Sequence, residues 1–526
     1  SMANEDIIIG SGPAGIAAAH ALLARGRGVR MLDVGVTLEQ DRVARRERMG
    51  SQPPSGWTSD DLQAMQGPRR AARTDGMRPY GSDFAIRDVV DLLGGADVLP
   101  SIALRPSFAL GGLSNGWGAA VVPYRVEDIS DWPIEARNLA PHYQAVSSFM
   151  PISAQKDDLE EVFPMWRVED PSPMPPSSTA AGLMARLGAK RDALASNGIR
   201  FGQARQAVRS GCRTCGMCLY GCPYRLIYNA GHALDDLIRR PGFAYERDRL
   251  VVGFNENVDG VKVFSTRPDG SDSQKHAGAR LFIAAGVLST AKLILEQPAF
   301  RGQKLTLLDS QQMLLPMLHS WAVAKSFRTE QRHTLAQVFL EIMDDAVSNR
   351  TVHAQLYTYN DLFPLDMRAR FGRLSPVLRP LIEATCRRLV VAQAFLHSDE
   401  SGRMDIQLKQ TTGGAAWIDG LSQPVAETRP ALQRVKRKLS QAMRSAGFVT
   451  LGSQARIGAP GSSFHCGGTL PMHANPAGQQ TDIYGRLPGL AKVHIVDASV
   501  LPSIPATTIT FSVMANAHRI ASTSTA

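Results

Sequence analysis

The start of the chain limits most strictly what it can fold into. Residues 6–35 read DIIIGSGPAGIAAAHALLARGRGVRMLDVG. Ile7, Ile8 and Ile9 predict a short buried strand. Gly10, Gly12 and Gly15 complete a G-x-G-x-x-G pattern, and Ala14 to Arg25 read as a helix of small apolar residues stopped at Gly26. A second strand, Val29 to Leu32, ends at the acidic Asp33. Each glycine has a physical reason to be there. Gly10 makes the tight turn, Gly12 lets backbone approach a pyrophosphate, and Gly15 lets helix and strand pack closely. Free N–H groups at the helix start, with Ala14 in the first turn, attract phosphates. Asp33 is placed to accept hydrogen bonds from ribose hydroxyls. The order of strand, glycines, helix, strand and acid predicts a dinucleotide-binding α/β unit, without choosing its dinucleotide.

The other end of the chain supplies the remainder of that unit. In LAKVHIVDASVLPSIPATTITFSVMANAHRIA, Val493 to Val496 read as a strand ending at Asp497, and a helix begins near Thr510. A nucleotide fold that closes only at the C-terminus has the intervening residues inserted between its two parts. Just upstream stands SSFHCGGTLPM, with His465 before Gly-Gly-Thr.

Four patches together carry a family resemblance: GSGPAG, GGLSNGWG at 111–118, FIAAGVLSTAKLIL at 282–295, and the ending from FHCGGTLPM to ANAHRIA. In these the chain resembles the glucose–methanol–choline (GMC) oxidoreductases, FAD-dependent alcohol dehydrogenases and oxidases. The resemblance implies an α/β fold overall, a Rossmann-like FAD-binding domain interleaved with an antiparallel-sheet substrate domain. The expected division is 3–300 for the first part of the FAD domain, 301–455 for the substrate domain and 456–526 for the C-terminal part. Carried over, Gly10, Gly12, Gly15 and Asp33 hold the adenosine and pyrophosphate. Gly112, Ser114, Trp117 and Gly118 line the flavin-contacting loop, and Asp497 and Thr510 lie by the pyrophosphate and ribityl chain. His465 matches the family's base. The second catalytic position, normally His or Asn, falls on Thr508, which offers only one hydroxyl. An alcohol carbon releases hydride readily only as its oxygen loses a proton, and a neutral imidazole is suited to take that proton near pH 7.

Residues 211–224 read GCRTCGMCLYGCPY, with four of the chain's six cysteines at C-x2-C-x2-C-x3-C-P spacing. That spacing matches bacterial ferredoxins, down to Pro223. It predicts an iron–sulfur cluster on Cys212, Cys215, Cys218 and Cys222: 4Fe–4S, or 3Fe–4S if Cys222 is not a ligand. Zinc sites usually separate two close pairs by a longer loop. Zinc, a structural thiol loop and disulfides remain as alternatives. Some GMC sugar dehydrogenases carry such a cluster beside FAD, so electrons are expected to leave through it to an electron-carrier acceptor.

The expected substrate is a small-molecule alcohol on a sugar, polyol or glycosylated metabolite, oxidised to a carbonyl. One alternative is an oxidase of a long-chain or lipid-linked alcohol with a structural cysteine loop. Another is a non-redox GMC-type lyase or flavin scaffold, which Thr508 would permit. Residues 36–100 read as a basic, loop-rich excursion. Residues 361–388 mix large apolar side chains with six arginines between two expected strands, suiting a lid or a peripheral membrane contact. The segments 334–342, 352–359, 388–396 and 403–410 read as one antiparallel sheet, with HSDESG as the turn between the last two. PALQRVKRKLSQAMRSAG reads as an amphipathic helix. The net charge of +10 suits a basic surface or an anionic partner. There is no nucleic-acid motif. The longest apolar stretch, 281–295, is broken by Ser289, Thr290 and Lys292 and is too short to span a bilayer. The expected location is cytoplasmic, with a peripheral membrane position as the alternative.

Overall fold

Ile7 and Ile8 are fully enclosed and Ile9 nearly so, as a strand covered on both faces requires. In the computed structural model, which describes residues 4–67, 77–95, 102–164, 172–321 and 330–525, they belong to the strand Glu5–Ile9. This strand is the centre of a five-stranded parallel sheet. Its neighbours are Gly28–Leu32 and then Phe243–Glu246 on one side, and Leu281–Ile283 and then Val493–Ile495 on the other. The C-terminal segment therefore supplies an edge strand. The closing helix, Thr510–Thr523, packs on the glycine-motif helix Pro13–Ala24. A buried ion pair fastens the ends: Asp6 accepts from Arg280 at 2.7 Å and Arg27 at 2.9 Å, and Arg280 also donates to the Ser524 carbonyl.

The second body is a seven-stranded sheet whose pairings are antiparallel. Its strands alternate. Met313, Leu315 and Met317 of Gln312–His319 enter a core with Leu340, Ala354 and Ala392, and the intervening side chains face the other way. The amphipathic helix forms as Thr428–Ser445 and lays Leu432, Val435, Leu439 and Met443 on that core. The opposite face of the sheet is turned toward the nucleotide unit.

Three expectations need revision. First, the strands Leu389–Phe395 and Arg403–Gln410 do not share a sheet. Leu389–Phe395 already has a strand on each side, Gln312–His319 and Val352–Tyr357. With no free edge there, the chain passes through 397–402 into a four-stranded sheet, where Arg403–Gln410 pairs with Lys304–Asp309 and Ala416–Gln423. His397 is fully buried in that turn and receives the Asp399 N–H. Second, Ile199–Gln203 precedes residue 300 yet pairs with Val338–Ile342 in the antiparallel sheet, because the adjoining helix Ser178–Gly188 buries Ala180, Leu183 and Leu187 in that core. Third, the excursion 36–100 holds the helices Gln40–Gly50 and Ser59–Gln66, while most of its GPRRAAR run lies outside the described residues. Residues 281–295 divide into the strand Leu281–Ile283 and the helix Val287–Leu295. Among the described residues no helix is long and apolar enough to cross a membrane.

Candidate active site

The glycine pattern does locally what its spacing predicts. Gly10 has φ +97°, and a Cβ there would lie 2.4 Å from the Ala284 carbonyl oxygen. A Cβ on Gly15 would lie 2.0 Å from the Gly10 carbonyl oxygen. Gly12 differs: a Cβ there meets nothing within 4 Å. Gly12 is also the N-cap of helix Pro13–Ala24 and no side chain caps it, so the helix start opens onto free space. This is a cradle shaped for phosphate.

That space belongs to a cavity of about 1300 Å³ between the two bodies. It exceeds the ~300–1,000 Å³ of an ordinary small-ligand pocket, so it has room for a dinucleotide and a substrate together. Gly10, Gly12, Ala14, Asp33, Gly112, Ser114, Trp117, Gly118, Asp497, Thr508, Thr510 and His465 all line it. Gly15 lies beneath, packing helix on strand. Residues from both ends of the chain and from the 111–118 loop thus share one wall. Ala85, Ile86, Val90 and Leu92 bring the early excursion to the same cavity.

Several of these side chains are already engaged. Asp33 Oδ2 accepts from Ser11 at 2.5 Å and Tyr245 at 3.0 Å, and the Ser11 and Val34 backbone N–H groups also bond the carboxyl. Burial pushes its carboxyl up to about 6. Asp497 spends both oxygens on protein: Oδ2 on the Gly286 N–H and Thr290, Oδ1 on the Ser499 N–H. Its visible work is to tie the start of helix Val287–Leu295 to the C-terminal segment. Ser114 donates to the Gly111 carbonyl and accepts from the Ala230 N–H, and Trp117 donates to the Tyr228 carbonyl. These bonds hold the 111–118 loop in place.

His465 stands at the far end of the cavity on a strained turn. The preceding Phe464 has φ +60°, a left-handed conformation uncommon outside glycine. Asp309 holds this turn: Oδ2 accepts the Gly461 N–H at 2.9 Å, and Oδ1 accepts Ser463 Oγ at 2.6 Å and the Cys466 thiol at 3.4 Å. Ser463 in turn accepts the His465 N–H. The His465 ring stacks on Phe395 at 4.8 Å, and its buried Nδ1 has no hydrogen-bond partner among the described residues. Burial, with a smaller push from His353, lowers the imidazole to about 4. It is therefore neutral at physiological pH. Thr508 is buried, and its Oγ1 accepts the Val122 N–H at 3.0 Å. Its hydroxyl proton is still available to donate.

Sequence reading missed two groups. Asp309 carries no motif. Gln355, Tyr357 and Gln393 share the sheet's part of the cavity wall with Gln312, Leu314, Val391 and Phe395. For Gln355 and Tyr357 the signal was the alternation in VHAQLYTY, where His353, Gln355 and Tyr357 fall on one face.

The cysteine loop packs beside the 111–118 loop. Cys218, Cys222, Ser114 and Trp117 line a cleft of about 30 Å³, and Leu219 reaches the large cavity. Backbone N–H groups of Thr214 and Thr334 point at the Cys212 and Cys218 sulfurs, at 3.4 and 3.5 Å. Burial raises the Cys215 thiol to about 12 and Cys218 to about 11, which favours the protonated form. Among the described residues no three Cys, His, Asp or Glu side chains are placed to hold one metal ion. The four thiols lie near enough to act on one another: Cys215 feels Cys212, Cys218 and Cys222, and Cys218 feels Cys212 and Cys222.

Fold and cavity together define a class: a two-body α/β protein with a cavity of about 1300 Å³ lined from a parallel and an antiparallel sheet. Residues 415–517, which contain His465, Asp497, Thr508 and Thr510, match the family model described as GMC oxidoreductase. The whole chain is similar in fold to the crystal structure of pyridoxine 4-oxidase from Mesorbium loti, with TM-score 0.58, 14% identity and 98% of each chain covered. No curated protein matches in a sequence search.

Proposed function

We infer that the protein is an FAD-dependent oxidoreductase that oxidises an alcohol to a carbonyl, with His465 as the base. The observation that carries this reading is the convergence, in one cavity, of the uncapped glycine cradle and a neutral imidazole inside the GMC-like segment. FAD is favoured because the 111–118 loop and the C-terminal segment continue the cradle toward His465. Gly12 and the start of helix Pro13–Ala24 would receive the pyrophosphate, and Asp33, which lines the cavity, the ribose. FAD, when bound, would supply the hydride acceptor. His465 would take the hydroxyl proton as the carbonyl forms. The phenyl face of Phe395 and the turn held by Asp309 orient its ring, and Phe464 and Leu314 in the cavity wall exclude water.

The test is direct. The purified protein should carry flavin, and in an anaerobic panel of sugars and polyols at least one should bleach it. His465→Ala should keep the flavin and slow bleaching by about 10²–10⁴-fold. Unchanged bleaching would remove His465 as base.

The passage of electrons through an iron–sulfur cluster to a carrier protein rests on the C-x2-C-x2-C-x3-C-P spacing alone. A structural thiol loop is the alternative. Iron and sulfide assays after anaerobic purification decide: no iron leaves the loop structural and makes direct reoxidation of the flavin the expected route. A lipid-linked substrate has one observation in its favour. Leu374, Val377 and Leu381 stand 63%, 80% and 56% exposed on the arginine-rich insertion, whose Leu362 and Phe363 line the cavity. Flotation with anionic vesicles tests it, and failure to float counts against it.

A further inference from the structure

One arginine stands in the same stretch of chain as His465. Residues 454–466 read QARIGAPGSSFHC, and from Arg456 onward all but Pro460 and Gly461 line the large cavity. The two-residue strand Arg456–Ile457 pairs with Gln312–His319 and sets Arg456 opposite Leu314. Residues opposed across an antiparallel pair share a face of the sheet. Leu314 lines the cavity, and Arg456 lines it beside Leu314.

Among the lining residues from the antiparallel sheet, from 360–363 and from 456–466, Arg456 is the one with a permanent charge. The other cations of the cavity are engaged. Arg249 pairs with Asp272 at 2.8 Å, Lys292 pairs with Glu296, and Arg105 donates to the Ile102 and Leu104 carbonyls. Arg456 is engaged least. Its Nη2 reaches Asp366, on the insertion helix Leu362–Phe371, at 3.3 and 3.5 Å. A good charge-assisted bond is ~2.7–2.9 Å, and Asp366 already accepts one at 2.9 Å from Arg370. Nε and Nη1 of Arg456 have no hydrogen-bond partner among the described residues. Two guanidinium groups on one carboxylate leave a net positive charge. The Arg456 side chain is 54% exposed, and Leu362 and Phe363 of the same helix line the cavity, so this charge stands at the cavity mouth.

Strand register fixes how far the charge is from the base. Phe395, on which His465 stacks at 4.8 Å, is opposite Gln312 on one side of the strand Gln312–His319. Arg456 is opposite Leu314 on the other side. Crossing two inter-strand gaps and advancing two residues separates the two backbones by roughly 12 Å. The side chains close part of that span. A carboxylate on the carbon next to the reacting hydroxyl is too near to meet Arg456 while the hydroxyl meets His465. A carboxylate several bonds away meets it.

We propose that Arg456 is a substrate-contacting residue that selects alcohols carrying a carboxylate several bonds from the reacting hydroxyl, and that Asp366 is the internal carboxylate which the substrate displaces. This rests on the alcohol-oxidation reading above, in which the hydroxyl meets His465. A planar guanidinium takes a carboxylate through two parallel N–H groups, and displacing Asp366 frees Nη2 to complete that fork with Nη1. Solvent exposure and competition from Asp366 keep the gain modest.

The experiment uses the purified holoprotein and probes of matched shape and different charge. 4-Methylbenzoate and 4-methylbenzamide lack the reacting hydroxyl, so calorimetric titration reads their binding alone. The wild type should bind the benzoate about 10-fold more tightly. Arg456→Gln removes the charge and should bring the two within about twofold of each other. Asp366→Asn removes the competing carboxylate and should widen the wild-type ratio by about 2–3-fold. In anaerobic flavin bleaching, 4-(hydroxymethyl)benzoate should half-saturate at lower concentration than its amide. Mandelate, whose carboxylate adjoins the carbinol carbon, should gain no such advantage over mandelamide. Equal binding of the methyl pair by the wild type, binding of neither, or a ratio unmoved in Arg456→Gln overturns the proposal. An unchanged or narrower ratio in Asp366→Asn overturns the displacement, and a mandelate advantage equal to that of the longer acid overturns the spacing. Bleaching by alcohols without any charge preference removes the subsite and leaves the oxidoreductase reading standing. A benzoate preference without bleaching by any alcohol overturns that reading and leaves the subsite.

Discussion

At the scale of single residues, His465 and Asp309 form one device. A histidine on a turn with Phe464 at φ +60° holds its place only if its surroundings fix the turn. Asp309 does so through the Gly461 N–H, Ser463 and Cys466. Asp309→Ala leaves a buried N–H and a hydroxyl without partners. It should lower stability by roughly 2–3 kcal/mol and reduce turnover more than it weakens substrate binding. Thermal melts and separated kcat and KM check this, and an unchanged melting temperature would refute it. The pH profile of the base follows from burial, which lowers His465 to about 4. An imidazole acts as base only when neutral. Flavin reduction should therefore be level from pH 8 down to about 5 and fall below that, in pH-jump stopped flow short enough to precede acid unfolding. A midpoint near the ordinary ~6.5 would show that the ring is not held as buried as described.

At the scale of elements, the glycine turn makes a contrast that sequence alone could state only in outline. Gly15→Ala places a methyl 2.0 Å from backbone, which has nowhere to go, so the variant should fold poorly. Gly12→Ala has free space, so it should fold with a normal melting curve while losing flavin, because the methyl projects where the phosphates approach. Flavin content per chain against melting temperature separates the two, and equal behaviour of both variants would contradict the cradle. Strand–turn–helix order was legible here because the glycines and the apolar run lie within one short segment, and both ends of the chain contribute apolar strands. The turn 397–402 was not legible in the same way. Local pattern suggested a hairpin, but pairing depends on which strand edges are free, and both edges of Leu389–Phe395 are taken by distant segments. The cysteine spacing predicts a cluster, and that prediction rests on the spacing alone. The contact of Glu341 with His353 needed the register of two strands, which alternation alone does not fix.

At the scale of the whole molecule, buried histidines set the response to acid. The buried His319, His333 and His494 and the half-buried His20, His142, His465 and His518 are lowered to about 4, chiefly by desolvation, and the half-buried His232 to about 3. A folded-state value below the unfolded one means that the unfolded chain binds more protons between the two. Stability is then complete above the unfolded value near 6.5 and is lost as pH falls toward 4. Asp33 and Asp309 act oppositely. Burial raises each to about 6, so each opposes folding above that pH and the opposition fades on acidification. Burial raises Asp157, Asp361, Glu400 and Asp497 as well, and the eight histidines outnumber these six carboxyls. Each contributes at most about 1.4 kcal/mol per pH unit, and less where the ring reaches solvent. The sum still rivals the roughly 5–15 kcal/mol net stability of a typical domain. The melting temperature should therefore be highest near neutrality and drop steeply between pH 6.5 and 4, well above the range where ordinary carboxylates titrate. Replacing His494, fully buried with its Nε2 unpartnered, by Gln should flatten that drop measurably. A melting temperature constant from pH 6.5 to 4.5, or a His494→Gln profile parallel to the wild type, would show that these histidines do not govern it.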